Sequence, residues 1–167
     1  MLLKNYSIEG IKAIVEMNVI PSMYLHHLLD PDMRQIYYFW DGVYYRLQTR
    51  FINGSCIALL SGKGCILGDY RPLICKVWPF WWKRRADLSS GDFQIEIDGD
   101  CTMATYWKMP VEEILREIGY SERTIKQDLL ALNRALREHG KMLREASKKR
   151  IPPEKILDWI VNSISNF

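Results

Sequence analysis

The sequence offers few of the residues that usually carry chemistry. It has 3 histidines and 4 cysteines in 167 residues. It shows no Gly-rich nucleotide fingerprint and no convergent set of His, Asp and Glu, so no motif signals catalysis. No run approaches the roughly 18 apolar residues of a membrane-spanning helix. The opening MLLKNYSIEG has neither an apolar leader core nor a small-residue cleavage site. These absences lead to the expectation of a soluble, cytoplasmic protein with no membrane partner. Charge of neither sign dominates. The formal net charge is +3, a mildly basic balance that does not by itself call for nucleic acid. No internal repeat is present.

What the chain does have is material for a core: 48% hydrophobic and 12% aromatic residues. That suits one domain, or one domain with a helical appendage. Ser7 to Val15 predicts a short helix capped by Ser7, and Pro21-Ser22 opens a second through MYLHHLL, closed by Asp30-Pro31. Ile36–Trp40 and Val43–Leu47 are two β-prone runs joined by Asp41-Gly42. Both residues of that pair tolerate the positive φ of a type I′ turn, so a hairpin is expected. Asn53-Gly54 and Ser61–Gly64 are further turn signals, with the apolar run Cys56–Leu60 between them as a candidate strand. Trp78–Lys83 and Phe93–Ile97 predict another strand pair, and Asp98-Gly99-Asp100 turns the chain into Cys101.

After Pro110 the pattern becomes helical. VEEILREIG stops at Gly119, and Ser121 and Thr124 offer caps for a longer helix. Its stripe of Ile125, Leu129, Leu132, Leu136, His139, Leu143 and Ala146 steps by four and three, a heptad rhythm that Gly140 weakens. Pro152-Pro153 starts a last helix with Ile156, Leu157, Ile160, Val161 and Ile164 as its apolar face. The expectation is an α+β protein. A small strand-and-loop centre organised around four cysteines has short helices before it and a helical region after it. Residues 1–109 would form the cysteine-bearing domain. Residues 110–167 would form a helical region packed on it or on a protein partner.

Cys56, Cys65, Cys75 and Cys101 all fall in that irregular centre, and the helices use none. Cysteine serving only as a small core residue would be expected in the helices too. Four thiolates are the number that closes a structural zinc site or holds a 4Fe-4S cluster. The spacing C-x8-C-x9-C-x25-C is not a pair of C-x2-C knuckles, so each ligand comes from its own bend. Zinc with four thiolates, or a 4Fe-4S cluster with four, leaves a formal charge of about −2. Lys63, Arg71, Lys76, Lys83, Arg84 and Arg85 lie near in sequence and could offset it. Two other readings stand beside the metal: unliganded buried thiols, and two disulfides.

These residues carry a resemblance. Cys56-Ile-Ala-Leu-Leu60, then Cys65-Ile-Leu-Gly-Asp-Tyr-Arg-Pro-Leu-Ile-Cys75-Lys-Val-Trp-Pro-Phe80, resembles the YkgJ-like cysteine-cluster family, described as zinc- or iron-chelating. Cys65, Arg71, Pro72, Cys75, Trp78, Pro79 and Phe80 match its pattern. Lys76 stands where Arg is usual and Leu67 where an aromatic is common. The further cysteine group that many members carry near the N-terminus is missing, and His26 and His27 lie in about that region. The resemblance implies Cys56, Cys65, Cys75 and Cys101 as metal ligands, with Zn²⁺ first and a 4Fe-4S cluster as the alternative. Arg71, Pro72, Lys76, Trp78, Pro79 and Phe80 would support them. Pro72 would hold Arg71 extended, and Trp78 to Trp82 would roof the sulfurs against water.

Three functions follow as expectations. The first is a metal-binding structural or partner-binding module whose C-terminal helices dock on a protein. The second is a protein-lysine methyltransferase-like enzyme, because the flagellin lysine methylases are similar to this family in their cysteine and Arg-Pro arrangement. The third is RNA or ribosome association through Trp82, Lys83, Arg84 and Arg85, since aromatics beside cations suit single strands.

Overall fold

The computed structural model describes residues 8–83, 87–88, 91–99, 101 and 108–165. The architecture is α+β, and it divides into two compact units, residues 1–71 with 136–167 and residues 72–135.

The first unit is built on a three-stranded antiparallel sheet. Helix α1 (Ile8–Ile14) runs directly into strand β1 (Val15–Val19), which the sequence reading missed. A 3₁₀ helix (Ser22–Leu29) and a single α-helical turn, α2 (Pro31–Arg34), follow. Strands β2 (Tyr38–Trp40) and β3 (Val43–Thr49) form the expected hairpin, with Asp41 at φ 45° and Gly42 at φ 80°. The order is β1-β3-β2, with Met17 opposite Leu47 and Tyr38 opposite Tyr45.

Strand alternation sorts this sheet into two faces. Met17, Tyr38, Trp40, Tyr45 and Leu47 pack with Leu143, Ala146, Ile156 and Ile160 of the C-terminal helices. The other face is polar: Arg46 donates to Gln48 at 2.7 Å, and Gln48 to Glu16 at 3.1 Å. Each large side chain fully buried in this way contributes about 1.5–3 kcal/mol. The Tyr38 hydroxyl donates to the Ile151 carbonyl, so its polar end is satisfied inside the core.

Four two-residue strands continue this unit. β4 (Phe51–Ile52) pairs with β5 (Ser55–Cys56), and β6 (Leu59–Leu60) with β7 (Gly64–Cys65). The expected single strand Cys56–Leu60 is therefore broken into two ends of different ribbons. The break falls at Ile57-Ala58. The Ile57 amide donates to Arg50, the Ala58 carbonyl accepts from Ile66, and Ala58 is buried. A 3₁₀ turn (Gly68–Tyr70) closes the segment.

The second unit holds helix α3 (Leu73–Val77), strands β8 (Phe80–Trp82) and β9 (Ile95–Ile97), and helix α4 (Val111–Glu117). The β8–β9 pair is the expected one, with Phe80 opposite Ile97. Gly119 ends α4 at φ 74°. The next helix, α5 (Glu122–Lys148), is capped as read: the Ser121 Oγ accepts from the Thr124 amide at 3.1 Å. The last helix is α6 (Pro153–Ser165).

The C-terminal helical region was expected to pack on the rest of the chain or on a protein partner. Ile125, Leu129, Leu132, Leu143 and Ala146 are buried, as are Ile156 and Ile160 of α6. Leu143, Ala146, Ile156 and Ile160 pack with Tyr38 in one core cluster.

Candidate functional site

Each expected ligand sits where its turn places it. Asn53 (φ 51°) and Gly54 (φ 80°) form the two-residue turn between β4 and β5 and deliver Cys56 opposite Phe51. Gly62 (φ 72°) and Gly64 (φ 76°) shape the next turn and deliver Cys65 opposite Leu59. Both thiols are half-buried. These turns are legible in the sequence, and their cross-strand partners are not. The signal was present in the two-residue spacing around Asn53-Gly54, which fixes hairpin register.

Cys75 and Cys101 belong to the second unit. Pro72, at φ −52° and ψ 144°, starts α3, and its carbonyl accepts from Cys75 at 2.9 Å and Lys76 at 3.1 Å. Cys75 is exposed there. Arg71 before it is extended, at φ −56° and ψ 149°, the conformation that a following proline favours. The Trp78-Pro79 bond is cis, and the Pro79 carbonyl accepts the Asp98 amide at 2.8 Å. The Asp98 carbonyl in turn accepts the Cys101 amide at 3.0 Å. Asp98 is thus a turn former, and Cys101, 3% exposed, is the buried member of the four. Asp100 lies outside the described residues.

The aromatic run is unevenly exposed. Pro79 and Phe80 are buried, Trp81 and Trp82 are half-buried, and Trp78 is 57% exposed. Trp81 and Trp82 stack on each other with ring centroids 4.5 Å apart. Lys83 is exposed and donates to Gln94 at 3.2 Å. Arg84 and Arg85 lie outside the described residues. Lys76 is half-buried in α3.

None of the four cysteines is joined in a disulfide. In number and kind they match a four-thiolate donor set. Among the described residues, however, no group of three or more His, Cys, Asp or Glu side chains is placed to hold a metal ion. The histidines have local roles. The His27 Nδ1 shares a hydrogen bond of 2.7 Å with the Tyr37 hydroxyl, and His26 packs edge-on against His27 at 4.3 Å. His139 is partly buried in α5. Desolvation holds its imidazole below the ordinary 6.5, and a hydrogen bond to the Ile36 backbone acts in the opposite direction.

The second unit also carries an open cleft of about 640 Å³, lined by Lys83, Asp92, Phe93, Ile95, Glu112 and Lys126 among others. No cysteine lines it. Of its two lysines, Lys126 is paired with Glu122 at 2.9 Å and Asp92 at 3.8 Å, and lies 5.7 Å from the Phe93 ring centre. No helix among the described residues is long and apolar enough to cross a membrane. No family model, no curated protein and no solved structure matches the chain.

Proposed function

We propose that Cys56, Cys65, Cys75 and Cys101 hold one metal ion, Zn²⁺ in the first place, and that the protein is a metal-stabilised structural module. The observation that carries this reading is the common setting of the four. Each lies outside any disulfide, and each stands at a tight turn or at the first turn of a helix. Such turns bring backbone N–H groups close to sulfur without a side chain in the way. Four thiolates fill a tetrahedral zinc shell and leave no open position for substrate, which favours a structural over a catalytic role. The resemblance of Cys56–Phe80 to the YkgJ-like family supports the same donor set.

The grouping that the described residues lack is what the metal supplies. A ligand shell rarely exists complete before its ion arrives, and binding energy of about 10–16 kcal/mol then becomes folding energy. A 4Fe-4S cluster on the same thiolates is the alternative, and it would colour the protein. The substitution Cys75→Ser tests the assignment. It is expected to lower both metal content and soluble yield. Full metal content in soluble Cys75→Ser would remove Cys75 from the donor set.

A further inference from the structure

The C-terminal part of helix α5 carries opposite chemistries on its two sides. Leu143 and Ala146 are buried, while Arg137, Lys141, Arg144 and Lys148 are all exposed. These four cations are spaced by four, three and four residues, which keeps them on one face of the helix. They mark out roughly 16 Å of its length. Every exposed residue of 137–150 is polar or charged. With Lys149 and Arg150 the stretch holds six cations against the two carboxylates Glu138 and Glu145, and it contains no cysteine. That is a surplus of four in a chain of net charge +3, so the positive charge is concentrated here. Lys141 pairs with Glu138 and Lys148 with Glu145, both at 2.7 Å. Among the described residues Arg137 and Arg144 form no ion pair. The Glu145 carboxyl is held below its ordinary value, by the Lys148 hydrogen bond first and by the charges of Lys148, Lys149 and Arg144 as well. An acid on this face thus sits in a positive field.

We propose that this face of α5 binds the phosphodiester backbone of nucleic acid, without regard to sequence. Charge complementarity calls for a polyanion. The face lacks what other anionic partners need. A bilayer surface takes up the apolar side of an amphipathic helix, and here Leu143 and Ala146 are buried in the chain's own core. A protein interface has an apolar or aromatic centre, and this face exposes no such residue. A phosphate backbone needs only cations and donors set along it. Arginine suits it well, because its rigid fork of N–H groups takes two phosphate oxygens at once. The two arginines are the cations of the stripe that no carboxylate holds. The RNA contact expected from Trp82, Lys83, Arg84 and Arg85 belongs to another element and relies on stacking, whereas this face offers charge alone.

The test is fluorescence anisotropy of the full chain, with the metal it carries on purification. Two labelled mixed-sequence oligonucleotides, a DNA duplex and a single-stranded RNA, are titrated at several salt concentrations. Binding to at least one is expected, and the two arms tell duplex from single strand. For four neutralised phosphates the affinity should fall with salt at a log–log slope of about −3 to −4. Arg137→Gln and Arg144→Gln should each weaken binding whatever the sequence and make the slope shallower by about one. The double variant Glu138→Gln/Glu145→Gln releases two lysines and should tighten binding. All four positions are exposed and none is near a cysteine in sequence. Helix content and metal content should therefore match wild type, and the metal reading is judged separately. The proposal is overturned by no binding to either oligonucleotide at low salt, by binding that salt does not weaken, or by unchanged binding in both arginine variants. Tighter binding to poly-L-glutamate than to either oligonucleotide would likewise overturn it and assign the face to an acidic protein.

Discussion

Phe51 stands directly across the β4–β5 ribbon from Cys56. Cross-strand partners of an antiparallel pair lie on one face with Cβ atoms about 4.5–5.5 Å apart, which puts the ring within reach of the thiol. Leu59 repeats the relationship with Cys65 on the next ribbon. Under the proposed function these two apolar side chains limit water and chelator access to the sulfurs.

Phe51→Ala should therefore leave metal stoichiometry unchanged while speeding metal loss to a chelator, by about tenfold or more. Competition with a chromophoric chelator measures the rate. An unchanged rate would mean that Phe51 shields nothing.

Gly140 lies inside helix α5, where glycine ordinarily costs about 1 kcal/mol relative to alanine. Here it is required. A Cβ at this position would stand 2.9 Å from the Gln35 carbonyl oxygen and 3.3 Å from the Gln35 Cγ. Gly140→Ala should destabilise by roughly 1–2 kcal/mol net of the helix gain, because the backbone oxygen cannot move aside cheaply. Thermal or urea denaturation would show it, and a stabilised Gly140→Ala would mean that α5 does not approach Gln35 this closely.

His139 makes stability depend on pH with a defined sign. Its folded pKa lies below the ordinary 6.5, chiefly through desolvation. The unfolded chain then binds the proton more readily than the folded one. The stability contribution is complete above the unfolded value near 6.5. It is lost progressively as pH falls from there through the lower folded value. His139→Gln should flatten the stability-versus-pH curve over that interval. A slope below 6.5 identical to wild type would assign the dependence to other groups.

The parts of this fold that were legible in the sequence are those governed by local chemistry. Asp41-Gly42 announced its hairpin because few other pairs accept two positive φ values. Ser121 and Gly119 marked helix ends for equally local reasons. Strand β1 was hidden because Val15–Val19 continues a helical apolar pattern and becomes a strand only by pairing with β3. The split of Cys56–Leu60 was hidden for the same reason: the burial of Ala58 and its bond from Ile66 are tertiary facts. Gly140 read as a weakness in the helix because its neighbour Gln35 is remote in sequence. Of the candidate site, the turns that present Cys56, Cys65 and Cys101 could be read directly. The exposure of Trp78 and the mutual stacking of Trp81 and Trp82 could not, since both depend on what the rest of the chain leaves uncovered.

The central claim is tested most directly by elemental analysis, with an absorption spectrum, of protein purified without oxygen and without added metal. The account predicts a colourless protein with zinc at about one ion per chain, all of it lost when the thiols are alkylated in unfolding conditions. Protein that carries neither zinc nor iron, yet shows the same cooperative unfolding before and after chelator treatment, would contradict it.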